Sequence, residues 1–152
     1  MTSFTNDVVS AYIEKLKQLL PDELSIKDYV TSEQGLRRVP EFPIIFVLCP
    51  NWNAEFQIEE GFADTLYPTY DLIIGSIVME QQTSLIKPKL YAIIDEVTKA
   101  LLEIEHSDFD YTLKHNGTFR ARFGPIFSNQ ETFIADAQLQ VTVNKRVAEQ
   151  FE

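Results

Sequence analysis

The chain has 152 residues, 45% of them apolar, which predicts one domain over residues 1–152 with a buried core. With 23 acidic and 13 basic residues its formal net charge is −10, which argues against a general grip on nucleic acid or anionic lipid. A single cysteine excludes an intramolecular disulfide, and no apolar run approaches the ~20 residues that cross a bilayer.

The first predicted element is an amphipathic helix over about Asn6–Leu20, because its apolar residues recur at helical spacing. Thr5 is suited to cap the start of this helix, and Pro21 ends it. Apolar residues between Leu24 and Val30 then suggest a strand.

A polar stretch from Thr31 to Glu41 contains Arg37 and Arg38 and is predicted to be a loop or a hairpin connection. The almost wholly apolar run Phe42–Cys49 is typical of a strand that is buried on both faces. Pro50 is expected to end that strand.

The segment Asn51–Thr69 has no clean periodicity and is predicted to be a long connection, a kind of segment that is often functional. Large aromatic residues on such a segment favour a protein–protein contact. A satellite cluster folded back on the core explains them equally well. The aromatic residues of this segment are Trp52, Phe56, Phe62 and Tyr67.

Tyr70–Met79 is predicted to be a second long strand, followed by a polar turn and an amphipathic helix over about Lys87–Glu103. Pro88 suits the first turn of that helix, where its missing N–H has no cost. Ile94 and Val97 lie on the apolar stripe of the helix, so a charge at either position is expected to unfold the domain.

Phe109–Phe123 is predicted to be a β-hairpin that turns at Asn116-Gly117. A three-residue loop with Gly117 left-handed would place Leu113 opposite Phe119 and leave Arg120 and Arg122 together on the polar face. The last long strand is predicted at Phe133–Asn144, where apolar and polar residues alternate. Together these elements predict an α+β fold of two layers, a mixed but mostly antiparallel sheet with two helices on one face.

No catalytic or cofactor-binding signature occurs in the sequence, so the chain is expected not to be an enzyme and to hold no cofactor. His106, Asp108 and Asp110 alternate at strand spacing and could offer three metal ligands, but a solvated strand entry is the simpler interpretation. His115 lies on the other arm of the predicted hairpin, and Cys49 is interpreted as a small apolar residue. Arg37, Arg38, Arg120 and Arg122 are either solvated or pair with carboxylates of a neighbouring subunit.

The order of elements, at this length, resembles the tail terminator (tail completion) proteins of tailed bacteriophages. The resemblance is carried by the first helix, by the second long strand, by the second helix and by the closing strand. The residues concerned are Val8–Ile13, Tyr70–Gly75, Leu90–Leu102 and Ala137–Val143.

The resemblance implies a homo-hexameric ring in the virion, assembled in the host cytoplasm, that caps the tail tube and stops its polymerisation. Its implied partners are the tail tube protein, the neck or head–tail connector protein and, in a contractile tail, the sheath. DNA would pass through the lumen without specific binding, since an acidic lining repels phosphate. Alternatives are another neck component, such as a head–tail adaptor or head-closure protein, and a small intracellular ligand-binding domain or enzyme.

Overall fold

The computed structural model describes residues 4–21, 30–32, 43–57, 65–109, 112–145 and 147–148. Over these ranges the chain forms helices α1, Phe4–Leu19, and α2, Ile86–Glu103. Its strands are β1 Val30–Ser32, β2 Ile44–Gln57, β3 Thr65–Glu80, β4 Leu113–Phe123, β5 Phe127–Asn129, β6 Thr132–Lys145 and β7 Val147–Ala148.

All described strands belong to one sheet in the order β1-β2-β3-β6-β4, with β5 paired to β6 and β7 paired to β3. β1 and β2 are parallel, and the other described pairs are antiparallel. α1 packs over β1 and β2, while α2 packs over β3, β6 and β4. The predicted α+β architecture, with both helices packed on the sheet, is confirmed.

The core lies between the helices and one face of the sheet, the helix-facing side. Alternation along β6 follows the prediction, with its apolar residues buried and its polar partners on the opposite side, which we call the open face. The helical stripes supply the other half of the core. Their fully buried members include Val8, Tyr12, Leu16, Leu20, Ile86, Leu90, Ile93, Val97 and Leu101.

The predicted connection over 51–69 is wrong wherever that segment is described, because β2 runs on to Gln57 and β3 begins at Thr65. The two strands pair continuously from Asn51 opposite Asp71 to Gln57 opposite Thr65. A one-residue register shift between Leu48 and Asn51 absorbs Pro50, so the proline lies in a bulge instead of ending the strand. The shift also breaks the apolar period, which explains why the sequence pattern looked irregular. We call 51–57 with 65–71 the arm.

The predicted hairpin around Asn116-Gly117 is also wrong. β4 is one strand paired with β6, and residues 116–118 bulge opposite a single β6 residue, Thr142. Leu113 and Phe119 therefore face Lys145 and Val141 of β6 instead of each other. The long alternating β6 offers β4 a ladder of greater length than a self-hairpin, which is why it is preferred.

The tight turn of this region lies instead between β5 and β6, where Gln130 has a φ of 58°. Gly117 does not occupy the left-handed region. Arg120 and Arg122 nevertheless share the open face, as predicted, because they stand opposite Gln140 and Gln138 of β6.

At the N-terminal side of the sheet, β1 begins at Val30, and the rest of the strand predicted over Leu24–Val30 lies outside the described residues. Thr31 and Ser32, predicted to be loop, belong to β1 and pair with Phe46 and Val47. Parallel pairing with a buried strand overrides their polar composition.

Ser76 is the buried polar residue of the described core, and its Oγ has no hydrogen-bond partner there. Its neighbours across the strands are Ile45 and Ala137. An unpaired buried hydroxyl costs free energy, so we expect Ser76→Ala to raise the free energy of unfolding by about 1 kcal/mol. Urea unfolding measures this change. The exposed Ser128→Ala serves as control and should stay within about 0.5 kcal/mol; equal effects of both changes would contradict the prediction.

Candidate interaction surface

Trp52, on the arm, is the best-defined of the predicted contact aromatics. Its side chain is 59% exposed, and its ring lies against that of Tyr70 with centroids 6.4 Å apart. Tyr70 is buried and hydrogen-bonds to the side chain of Thr5 at the start of α1; burial raises the pKa of its hydroxyl. Trp52 therefore projects beside α1 from a firmly held support, which is the geometry of an anchor side chain.

The other predicted aromatics are placed less completely. Phe56 lies in β2 with its backbone in register with Leu66, and Tyr67 lies in β3 in register with Glu55. The structure does not describe their side chains, and Phe62 is outside the described residues. Arg37 and Arg38 are outside them as well.

The open face of the sheet carries a trough of about 320 Å³. Its floor is the β3–β6 pair, and its walls are Pro50-Asn51 at the bulge of β2 and the bulge at 116–118 in β4. The β2 bulge lies opposite Leu72 of β3 and the β4 bulge lies opposite Thr142 of β6, so the two bulges are at neighbouring levels of the β3–β6 pair. The lining residues are Pro50, Asn51, Asp71, Leu72, Ile73, Asn116, Thr118, Arg120, Gln140, Val141 and Thr142.

Hydrogen bonds connect the polar side chains at the arm end of the trough. Thr142 Oγ1 donates to Asp71 Oδ1 at 3.5 Å, and Asn144 Nδ2 donates to Asn116 Oδ1 at 3.4 Å. Asn144 Oδ1 in turn accepts from Thr69 Oγ1 at 3.0 Å. These contacts orient the side chains on the floor of the trough. Arg120, the cationic residue of the trough, takes no part in these hydrogen bonds.

The two predicted arginines line different depressions. Arg120 lines the trough, and Arg122 lines a smaller cavity of about 190 Å³ that also contains Asp136 and Gln138. Neither forms an ion pair with another described residue. Both arginines thus lie on one face, as predicted, but each lines a different depression with different neighbouring residues.

An apolar patch occupies the opposite end of the open face, where Phe127 of β5 is 59% exposed. It borders a cavity of about 260 Å³ together with Phe46, Ile77 and Ile134. The sequence reasoning missed this patch, because its residues come from four strands and are adjacent only in the folded sheet. An exposed apolar patch of this kind is a candidate contact surface.

The metal interpretation of His106, Asp108 and Asp110 rests on a strand spacing that the structure does not have. Residues His106–Phe109 form a 3-10 turn, and Asp110 lies outside the described residues. The Asp108 carboxylate accepts the Glu105 N–H at 2.8 Å and pairs with Lys15 at 3.4 Å, and these contacts lower its pKa. No group of three or more potential metal-binding side chains occurs within the described ranges.

His115 joins three elements beneath the helices. Its Nδ1 lies 3.0 Å from the hydroxyl of Tyr12 on α1, and its ring also hydrogen-bonds to the backbone of Leu101 near the end of α2. A carbonyl can only accept, so a neutral ring donates its one N–H to Leu101 and accepts from Tyr12. Burial lowers the pKa of His115 and favours this neutral state.

The stability of the domain should therefore depend on protonation of His115. Its pKa is lowered in the folded state from the ordinary 6.5, so between the two values the unfolded chain binds more protons. The stabilising contribution is complete above pH 6.5 and is lost as pH falls through the folded-state pKa. Urea unfolding from pH 8 to pH 5 should show a steeper loss for wild type than for His115→Gln. Parallel curves would contradict the prediction.

Cys49 packs against the core, as the apolar interpretation predicts. Its Sγ donates to the carbonyl of Asn51 at 3.3 Å, and burial raises the pKa of the thiol. A raised pKa keeps the sulfur protonated at neutral pH, which is unfavourable for a nucleophile.

Comparison with family models and with curated proteins finds no match for this chain. Neither described helix combines the length and hydropathy needed to cross a membrane. Three surface features, the arm, the trough and the apolar patch, are therefore the basis for a functional proposal.

Proposed function

We propose that the protein is a tail terminator of a tailed bacteriophage. Copies of the chain form a ring, six in the form that the sequence resemblance implies, at the end of the tail tube. The ring stops growth of the tube and presents its other face to the neck. In this proposal the protein is a component of the virion and acts by binding other proteins, without catalysing a reaction.

The open face of the sheet carries this proposal. Both helices pack against the other face, so the open face presents an apolar patch around Phe127 at one end and, in the trough, Arg120 without an ion pair to a described residue. A face that is apolar at one end and polar, with an unpaired arginine, at the other suits docking onto protein in two directions. A ring needs such asymmetry, because a head-to-tail contact uses two different surfaces of each copy.

The arm supplies a second contact element. It extends the β2–β3 pair with Trp52 exposed on it, and an exposed Trp on a held support is a typical anchor. We assign it to the axial contact with the tail tube protein or, in a contractile tail, the sheath. The neck or head–tail connector protein then meets the opposite side of the ring.

The net charge of −10 fits a ring through which DNA passes. Phosphates are repelled by an acidic lining, so the genome slides through without specific binding. The same charge opposes self-association, which makes locally complementary contacts between copies necessary.

Tube-length control tests the proposal. Purified tail tube protein, polymerised alone and with this protein, is imaged by electron microscopy, while the mass of this protein in solution reports its rings. We expect shorter tubes with a ring at one end, and loss of that effect in Trp52→Ala but not in Tyr91→Ala, an exposed aromatic on α2. Unchanged tube lengths together with a strictly monomeric protein would reject the proposal.

A different neck component, a head–tail adaptor or head-closure protein, uses the same kinds of surface. Pull-down with tube protein and with portal protein separates the two roles, since a terminator retains the tube protein. Retention of portal protein alone would favour the adaptor.

The trough supports a second candidate function, a small ligand-binding domain, because polar groups converge in it. This function predicts thermal stabilisation of the monomer by a small polar metabolite. If a metabolite found in a screen raises the melting temperature of the wild type but not of variants with substitutions in the trough, the ligand-binding function is favoured over a terminator.

A further inference from the structure

Arg120 is the cation that lines the trough, and it is available for a partner. Its side chain is exposed and forms no ion pair with a described residue. Most described lysines differ in this respect, since they already have carboxylates within 4 Å. The pairs are Lys15 with Asp108, Lys17 with Glu14, Lys89 with Glu80 and Lys99 with Glu96.

The other groups of the trough indicate the chemistry of its ligand. Amide and hydroxyl groups of Asn51, Gln140 and Thr118 supply hydrogen-bond donors and acceptors, and Asp71 adds a carboxylate. Asp71 disfavours a phosphate or a polyanion but accepts from N–H donors. A ligand with one carboxylate beside peptide N–H groups satisfies both the arginine and the aspartate.

We infer that the trough receives an acidic side chain, with its flanking backbone, from a second copy of this chain, and that Arg120 binds the carboxylate. The inference rests on the proposed function, in which copies contact one another. At about 320 Å³ the trough is near the lower limit of ligand sites, ~300–1,000 Å³, so it holds a short segment.

Charge complementarity supports another copy as the occupant. Each copy carries a formal charge of −10, so two copies repel unless basic groups of one meet acidic groups of the other. The acidic surplus makes carboxylates the most abundant charged groups on the neighbouring surface. The planar guanidinium of Arg120 can bind a carboxylate with two parallel hydrogen bonds, which lysine cannot do.

Self-association of the full chain tests the inference, with Arg122 as a matched control on the same strand and face. Sedimentation equilibrium over a concentration series should show at least tenfold weaker association for Arg120→Gln and less than a twofold change for Arg122→Gln. Arg120→Lys should fall between Arg120→Gln and wild type. Circular dichroism confirms that each variant is folded, since both arginines are exposed. Equal weakening by Arg120→Gln and Arg122→Gln, or no weakening by either, overturns the inference.

Sodium glutamate serves as a free carboxylate probe. In NMR spectra of the isotope-labelled protein, the Arg120 side-chain N–H signal should shift as protein concentration rises and copies associate. Added glutamate should compete for Arg120 and reverse that shift. If glutamate shifts the signal while Arg120→Gln associates like wild type, the trough takes a small carboxylate and the second copy is overturned as occupant.

Failure of the inference and failure of the proposed function remain distinct. Rings of Arg120→Gln that form and cap tubes like wild type reject the inference alone. Association through Arg120 without any effect on tube length rejects the terminator function alone. If the wild-type chain stays monomeric, the inference is overturned. The measurement of tube length then tests the terminator function separately.

Discussion

Val97→Asp should unfold the domain. Val97 lies on the buried stripe of α2 with 1% of its surface exposed, between helix and sheet. The change removes an apolar side chain worth ~1.5–3 kcal/mol and places a carboxylate where the described core offers no cation. Together these costs reach about 5 kcal/mol, which is comparable with the whole stability of a domain of this size.

Far-UV circular dichroism and urea titration at pH 7 measure this effect. Ala92→Asp provides the control, since it adds the same group to the exposed face of α2 and should cost no more than about 1 kcal/mol. Ile94→Asp, also on the buried stripe, is expected to behave like Val97→Asp. If Val97→Asp unfolds cooperatively at the same midpoint urea concentration as the wild type, the apolar stripe of α2 is not part of the core.

Gly75→Ala should destabilise the domain by about 1–3 kcal/mol, the range for overpacking a filled site. The Phe46 ring lies across Gly75 on the open face, and a methyl group built at residue 75 overlaps that ring. Phe46 is itself buried, so it has to move away from the strand to accommodate the methyl group. Glycine is thus required here for close approach of a side chain, and not for a left-handed backbone.

A double-mutant cycle isolates this contact. Phe46→Leu shortens the side chain, so Gly75→Ala should cost less in that background, with a coupling energy of about 1 kcal/mol or more. Gly117→Ala is the matched control, because no atom lies within 4 Å of its added carbon. It should change stability by less than about 0.5 kcal/mol. Strict additivity of the Gly75 and Phe46 changes would refute the proposed collision.

Gly117→Ala also tests the difference between the predicted and the observed position of the turn. A hairpin at Asn116-Gly117 would hold the glycine left-handed, where alanine costs ~1 kcal/mol or more. In the bulge of β4 it is not left-handed and has open space around it. The left-handed position falls on Gln130, a residue type that carries little turn signal.

The arm shows most clearly why part of the fold was not predictable. Pro50 is a good local indicator of a strand end, yet one bulge lets β2 continue to Gln57. Only the pairing with β3 decides this, because the ladder partners of residues 51–57 lie on a different strand, at residues 65–71. His115 is a parallel case, since its partner Tyr12 is 103 positions away.

The candidate surface was predictable only in its components. Trp52, Arg120 and Arg122 were singled out by residue type. Both arginines lie on one face, as predicted, although the hairpin register from which this was predicted is wrong. Nothing local places two bulges at neighbouring levels of the β3–β6 pair, so the trough has no sequence signal. Phe127 and Phe46 likewise meet through strand order, which periodicity does not encode.

By itself, the sequence determined the helices, the alternating last strand and the two-layer α+β architecture. Those features depend on apolar spacing within one element, and burial of one face acts on each element separately. Only the tertiary structure decided the strand partners, the bulges and therefore the shape of the open face. These depend on long-range backbone hydrogen bonds, which almost any residue can make and which leave little trace in composition.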